Sequence, residues 1–162
     1  MSISDAKKCE VWPEWDFMIQ WELAQHEKVG SWKLVKPPEN ANIIGSHFMF
    51  YYKHNSDGNF ASQKARLIAQ GFTQEEGIDY KETFSLTEKL SAICIIAAIA
   101  AWNNWELKQT DIDRAYLNAT LLETIYMHQP KGYETPGKEQ HVCHLQHMLY
   151  SLKQAGCKWF VR

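Results

Sequence analysis

Two aspartates stand where a divalent metal could be held. Asp111 and Asp113 bracket Ile112 at the end of a predicted strand. A carboxylate at a strand end can bind Mg²⁺ rigidly, because this ion prefers oxygen ligands in near-octahedral geometry. Asp-x-Asp is a weak pattern, however, and Asp113 taken alone is also typical of the N-cap of a helix around Ala115.

Two cations form the second candidate site. Lys64 and Arg66 lie two residues apart in a predicted strand, so both side chains project from the same face. A lysine and an arginine aimed from one side of a hairpin could hold a phosphate chain, which arginine can bind through two hydrogen bonds. The alternative is an ordinary solvated face of the hairpin.

Four potential soft metal ligands occur within seven residues, and they are His141, Cys143, His144 and His147. Zinc binds cysteine and histidine in tetrahedral geometry, so a zinc site is conceivable. The spacing fits neither common zinc-finger arrangement, and no second pair of ligands is positioned to close the site. Exposed histidines on a turn and a helix are therefore the favoured interpretation.

The composition of the chain limits the classes of protein to which it can belong. The chain has 162 residues, 45% hydrophobic and 22% charged, which is typical of one globular domain. Its net charge of −2 means that contacts with a polyanion would depend on a few local cations. The apolar run from Ile93 to Trp102 is about half of the ~20 residues that span a bilayer. With no signal peptide, we expect an intracellular protein, cytoplasmic or nuclear, that is neither secreted nor membrane-bound.

The N-terminal half is predicted from local signals. A loose segment 1–11 precedes a helix that begins near Pro13 and ends at Gly30, and a short strand follows around Trp32. The clearest element is a hairpin, with strands His47–His54 and Asn59–Gln70 joined by a turn rich in asparagine, aspartate and glycine.

The C-terminal half mixes helices and strands. A capping box at Ser85–Glu88 precedes a helix to Trp102 that is apolar on nearly every side and should be buried nearly all round. The remaining predicted elements are a strand at 105–112, a short helix around Ala115, a strand at 125–127 and a final helix from about Gln146. The predicted fold class is α+β, with a predominantly antiparallel sheet.

The order of these segments resembles the reverse transcriptase of copia-type retrotransposons, from about Trp21 to the end of the chain. The stretches that carry the resemblance are Gly30–Pro38, Ile44–Phe50, Asn55–Gly58, Lys64–Gln74, Glu76–Ser85, Trp105–Ile112, Ala115–Asn118 and Leu149–Ala155. The resemblance implies a right-hand polymerase, of which residues 12–162 supply the fingers and the first part of the palm. That region would be a mixed, mostly antiparallel sheet with packed helices.

The resemblance also implies roles for single residues. Asp111 matches the first catalytic aspartate, which binds Mg²⁺ (or Mn²⁺), and the backbone carbonyl of Ile112 would assist as a metal ligand. Tyr116 stands where the family places an aromatic gate against the 2′-hydroxyl of ribonucleotides. Lys64 and Arg66 fall in the fingers strand whose cations meet the incoming triphosphate.

Lys153 and Gln154 belong to a segment that resembles the palm beneath the template and primer. The implied partners are an RNA template, a DNA primer and deoxynucleoside triphosphates. Departures from the family pattern stand at Gln70, Leu86, Ser151 and Gly156, where the family usually has lysine, proline, glycine and proline.

The later motif of paired aspartates, the rest of the palm and the ribonuclease H segment have no counterpart in the sequence. We therefore expect a fragment of the polymerase that is inactive alone. The alternative is a non-catalytic relic, or a module that only binds nucleic acid or nucleotides.

Overall fold

The computed structural model describes residues 3–83, 89–110, 112 and 114–160. Their α-helices are α1 (Ile3–Ala6), α2 (Trp12–Val29), α3 (Leu90–Trp102) and α4 (Ala155–Phe160). Their strands are β1 (Trp32–Val35), β2 (Ile43–Ile44), β3 (Ser46–His54), β4 (Phe60–Ala69), β5 (Tyr126–His128) and β6 (Val142–Leu145). Two 3₁₀ helices, Gly71–Thr73 and Ala115–Asn118, complete the set. The α+β class is confirmed, and the predicted loose segment contains the single turn α1.

The hairpin β3–β4 is an antiparallel pair that runs from Ser46 opposite Ala69 to His54 opposite Phe60. Its turn closes as the sequence predicts, because the side chain of Asn55 accepts hydrogen bonds from the backbone of Asp57 and Asn59. The prediction of this hairpin is confirmed.

A second, four-stranded sheet has the order β1-β6-β5-β2. β6 pairs antiparallel with both β1 and β5, whereas the two-residue strand β2 pairs parallel with β5. The sheet is therefore mixed and mostly antiparallel, as predicted. Between this sheet and the hairpin lies one apolar core, to which Phe48, Leu67, Met127, Leu145 and Leu149 contribute.

Helix α2 packs on the hairpin. Pro13 occupies its first turn and Gly30 ends it in the left-handed conformation, with φ of +71°. Trp15 contacts the edges of two hairpin aromatics, Phe50 at 5.0 Å and Tyr52 at 5.2 Å between ring centroids. The predicted bounds of this helix are confirmed within one residue.

One further bond anchors α2, from the phenol of Tyr133 to the carboxylate of Asp16. Burial, and then the neighbouring Asp16 carboxylate, raise the pKa of Tyr133 well above its ordinary value. The phenol therefore stays a neutral donor to this carboxylate across the physiological pH range.

The prediction that the apolar helix is buried nearly all round is wrong. Ile93, Ile96 and Trp102 are 56%, 59% and 90% exposed, and within α3 only Ala100 is buried. Apolar composition creates a tendency to be covered, but burial requires a second surface, and none of the described elements packs along α3. The predicted capping box at 85–88 lies outside the described residues.

Two other predicted elements are also wrong. Residues 105–110 form no strand, because a strand needs a neighbour for its backbone groups and none of the described strands pairs with them. The last helix begins at Ala155 and not near Gln146. Residues 146–154 bond to other segments instead, as when Gln146 donates to the carbonyl of Ser31 at 2.8 Å and Ala69 donates to that of Tyr150 at 3.1 Å. No helix among the described residues combines the length and apolar character that crossing a membrane requires.

Ser151 adopts a backbone conformation that suits glycine. Its φ is +67°, and its side chain is exposed. We expect Ser151→Gly to raise the free energy of unfolding by about 0.5–1 kcal/mol, since a left-handed L residue costs ~1–2 kcal/mol and added glycine freedom in the unfolded chain offsets part of that gain. Urea denaturation measures the change.

Asn104→Gly is the matched control for Ser151→Gly. Asn104 also has a positive φ of +54°, but asparagine tolerates this region, so the gain should be smaller. An equal gain in both variants, or none in Ser151→Gly, would contradict the argument from strain.

The exposed face of α3 predicts self-association of the chain. Contiguous apolar patches of several hundred Å² promote contact between molecules. We expect oligomers in analytical ultracentrifugation, and we expect Ile96→Lys to shift them toward monomer without loss of stability. Gln109→Lys adds the same charge at an exposed position outside α3, so it should leave the oligomers unchanged. A monomeric unaltered chain at high concentration would refute this prediction.

Candidate functional site

One cavity brings together residues that are far apart in the sequence. It has a volume of about 390 Å³, within the range of small-molecule sites. Its described lining consists of Lys53, Lys64, Arg66, Ile112, Arg114, Ala115, Tyr116, Tyr150 and Trp159. Because four of these residues are cations, we call it the four-cation cavity.

The hairpin supplies three of the cations from one face. Lys53 stands opposite Ser62, and Lys64 stands opposite Tyr51, so strand alternation directs Lys53, Lys64 and Arg66 to the same side. The guanidinium of Arg66 lies 5.0 Å from the ring centroid of Tyr150, a cation–π arrangement that fixes its plane. The same-face prediction for Lys64 and Arg66 agrees with this geometry.

Two tyrosines form part of the cavity wall. Tyr116 lies in the 3₁₀ helix Ala115–Asn118 and contacts Tyr150 edge to face, with 5.5 Å between ring centroids and planes 79° apart. Tyr150 is itself fixed to β4, because its carbonyl accepts the backbone N–H of Ala69 at 3.1 Å. The wall is thus attached to the strand that carries Arg66.

Arg114 is the fourth cation, and it reaches the cavity from the segment after Ile112. Its guanidinium stacks 4.6 Å from the ring of Trp21 and donates to the side-chain oxygen of Gln25 at 3.0 Å. Nη2 lies 3.8 Å from Oε2 of Glu22, which is 2% exposed. Helix α2 therefore holds Arg114 through three side chains.

Sequence reasoning missed both Lys53 and Arg114. A signal for Lys53 existed, because the predicted hairpin register places it beside the strand of Lys64. Arg114 offered no such signal, since its contacts come from residues about 90 positions earlier.

Of the predicted metal ligands, Ile112 lies among the described residues. Asp111 and Asp113 lie outside the described residues, so the N-cap interpretation of Asp113 also stays a prediction. Ile112 lines the cavity and is 52% exposed. The described lining contains no carboxylate, and the assignment of Asp111 as a metal ligand stays a prediction.

The structure gives no support to the zinc hypothesis. Cys143 lies buried in β6, where alternation sends the neighbouring His144 to the opposite face and against Tyr126. Burial raises the pKa of the Cys143 thiol to about 12, which disfavours the thiolate that binds metal. No three histidine, cysteine or acidic residues of the described segments lie close enough to hold an ion. The favoured placement of these histidines on a turn and a helix is also wrong, because His144 is in a strand.

Three buried residues of α2 and its C-terminal end resemble a hydrolase triad. The hydroxyl of Ser31 lies 3.0 Å from Nδ1 of His26, whose Nε2 lies 3.6 Å from Glu22. All three side chains are at most 2% exposed, so no substrate could reach the hydroxyl. The arrangement therefore argues for packing and against nucleophilic catalysis.

Lys153 and Gln154 occupy different surroundings. Gln154 is fully buried and bonds to the side chain of Gln74 at 3.1 Å and to the carbonyl of Asp79 at 3.0 Å. Lys153 is exposed, with Nζ 3.0 Å from the hydroxyl of Tyr80. Their assignment as template or primer contacts stays a prediction, and Lys153 is the one with accessible surface.

Comparisons with known proteins cover most of the chain. The family described as reverse transcriptase (RNA-dependent DNA polymerase) matches residues 29–162. A retrovirus-related Pol polyprotein from transposon RE1 of Arabidopsis thaliana is 41% identical over 132 residues, which are 81% of this chain and 9% of that protein. The Pol polyprotein from transposon TNT 1-94 of Nicotiana tabacum is 38% identical over 144 residues, 89% of this chain and 11% of that protein.

An uncharacterized mitochondrial protein of Arabidopsis thaliana is 42% identical over 88 residues, 54% of this chain and 52% of that protein. No solved structure matches the chain. The chain thus spans about a tenth of the length of the Pol polyproteins that it matches.

The burial of the cysteines predicts a two-step reaction with thiol reagents. Cys9 and Cys94 are exposed, whereas Cys143 and Cys157 are buried. At mildly alkaline pH we expect two thiols to react at once and two only after unfolding, because the reagent needs an accessible thiolate. Mass spectrometry counts the modified sites, and Cys94→Ser should remove one of the fast ones. Fast modification of Cys143 in the folded chain would contradict its place in the core.

Proposed function

The chain belongs to the reverse transcriptase (RNA-dependent DNA polymerase) family, and we propose that its four-cation cavity binds the deoxynucleoside triphosphate that this family adds to a primer. The observation that carries the proposal is the convergence of four cations and an aromatic wall on one cavity. A triphosphate is polyanionic, and a nucleoside offers a puckered sugar and a flat base, so the cations suit the phosphates and the aromatic wall suits the nucleoside.

The hairpin cations would hold the phosphates. Arg66 can form two parallel hydrogen bonds to a phosphate, and its stacking on Tyr150 leaves a planar, preoriented fork. Lys64 and Lys53 would add flexible point charges on the same face. The chain is acidic as a whole, with net charge −2, so the attraction comes from this local placement and not from a general field.

The tyrosine wall would meet the sugar. Tyr116 is half-buried and lines the same cavity as the hairpin cations. A ring held edge to face by Tyr150 is a rigid obstacle, and a rigid obstacle can exclude a 2′-hydroxyl that a mobile side chain would admit. In this role Tyr116 would favour the binding of deoxynucleotides over ribonucleotides.

Asp111 and the carbonyl of Ile112 are the residues that would hold Mg²⁺ or Mn²⁺. Hard oxygen donors of this kind suit the ion, and the cation-rich lining elsewhere in the cavity leaves no competing carboxylate among the described residues. When bound, the metal would neutralise phosphate charge and activate the attacking hydroxyl. In the same proposal, the hairpin corresponds to fingers, the four-stranded sheet to the beginning of a palm, and Lys153 to a contact with template or primer.

A second function is nucleotide or nucleic-acid binding without catalysis. It is favoured by the four cations of the described lining, which suit the binding of an anion whether or not a reaction follows. Primer extension on an RNA template, with the unaltered chain beside Asp111→Asn, separates the two functions.

The hairpin cations give the direct test of the proposed site. We expect Lys64→Ala combined with Arg66→Ala to weaken binding of dATP by roughly tenfold or more for each lost contact, because hydrogen bonds to charged groups are worth ~1.5–3 kcal/mol. Isothermal titration calorimetry measures the affinity, and thermal unfolding checks that the fold survives.

The matched control for these two changes is Lys108→Ala combined with Lys138→Ala, which removes the same charge from exposed positions outside the cavity. Its affinity for dATP should stay close to that of the unaltered chain. Equal losses in both double variants would indicate a general charge effect, and no loss in either would leave the hairpin face as an ordinary solvated surface.

A further inference from the structure

We propose that Arg114 is a positioning residue that α2 clamps in place, so that the turn carrying Tyr116 is held at a fixed distance from the hairpin cations. The clamp consists of Trp21, Glu22 and Gln25. The inference rests on the proposed function in one respect: the wall that Arg114 positions is the one assigned to the nucleotide sugar.

The clamp uses the flat face, the hydrogen-bond donors and the positive charge of the Arg114 guanidinium. Its flat face lies on Trp21 at 4.6 Å, one edge donates to Gln25 at 3.0 Å, and Glu22 supplies an opposite charge at 3.8 Å. A lysine would keep the charge but lose the stacking and the fork, because its ammonium is a single point on a flexible stem. The three contacts therefore fix the orientation of the guanidinium and also attract it to α2.

Glu22 connects the two walls of the cavity. One carboxylate oxygen accepts the backbone N–H of Leu67 at 3.3 Å, and the other faces Arg114. Leu67 lies between Arg66 and Ile68 in β4, so the strand of the phosphate-binding cations and the segment of Tyr116 share one buried group. A buried carboxylate must be paired, which makes separation of Arg114 from it costly.

The backbone at Arg114 explains why a clamp matters there. Arg114 has φ of +52° and ψ of +43°, a left-handed conformation that is unfavourable for a residue with a long side chain such as arginine. Its carbonyl accepts the N–H of Leu117 at 2.9 Å, which begins the 3₁₀ helix that carries Tyr116. If the side chain were released, the turn could relax and Tyr116 would move with it.

The test compares the full chain with Arg114→Lys, Glu22→Gln and Gln25→Ala, and with Gln20→Ala as the matched control. Gln20 lies on the same helix but is exposed, and among the described residues its side chain donates to Asp16 of α2 at 2.7 Å. Hydrogen exchange of the amides of Leu117 and Ala119 reports the 3₁₀ turn. We expect these amides to exchange about tenfold faster in the three clamp variants, while the amides of the β3–β4 ladder keep their protection.

The second readout is the ratio of affinities for dATP and ATP, which differ only in the 2′-hydroxyl. We expect the ratio to fall severalfold in Arg114→Lys although the charge of the cavity is unchanged, and to stay constant in Gln20→Ala. A merely structural role for Arg114 would lower both affinities together and leave the ratio intact.

The outcomes separate the two proposals. Unchanged exchange at Leu117 and Ala119 in Arg114→Lys would overturn the clamp, and faster exchange with a constant ratio would overturn its effect on the sugar wall. If the unaltered chain bound neither nucleotide, the proposed function would fail together with the sugar-wall effect, whereas hydrogen exchange would still decide whether Arg114 is clamped.

Discussion

The buried carboxylate of Glu22 is the interaction on which the rest of the arrangement depends. Glu22 is 2% exposed, and a buried carboxylate needs partners. Here a β4 backbone amide donates to one of its oxygens at 3.3 Å, and the Arg114 guanidinium lies 3.8 Å from the other. Around it, Trp15 and Ile19 bury the apolar face of α2 against the core. One helix thereby sets the distance between a hairpin and a loop that the chain connects only through some 45 intervening residues.

The four-cation cavity follows from that constraint. The hairpin contributes three cations to one face, since a two-stranded ladder repeats its side chains with a period of two. The wall of Tyr116 and Tyr150 is joined to the hairpin because Tyr150 is bonded to the end of β4. The described residues that line the cavity all lie within 29–162, the part of the chain that the reverse transcriptase family matches.

Local rules accounted for a large part of the fold. The hairpin and α2 were predictable because a turn such as Asn55–Gly58 and a terminal glycine such as Gly30 act through neighbouring backbone atoms alone. The burial of α3, the strand at 105–110 and the start of the last helix were not. Each of these depends on whether another segment covers a face or accepts a hydrogen bond, which periodicity does not reveal.

The candidate site likewise contains some residues that the sequence predicts and others that only the structure reveals. The sequence alone predicted that Lys64 and Arg66 share a face. The resemblance of its segments to reverse transcriptases predicted Asp111 as a metal ligand and Tyr116 as an aromatic gate. Only the tertiary structure added Lys53 and Arg114 to the cavity and removed Cys143 from any metal site by burying it. The physical reason is the sequence separation of the interacting residues. Strand alternation relates residues two positions apart, whereas the pairing of Arg114 with Glu22 and Gln25 joins residues about 90 positions apart.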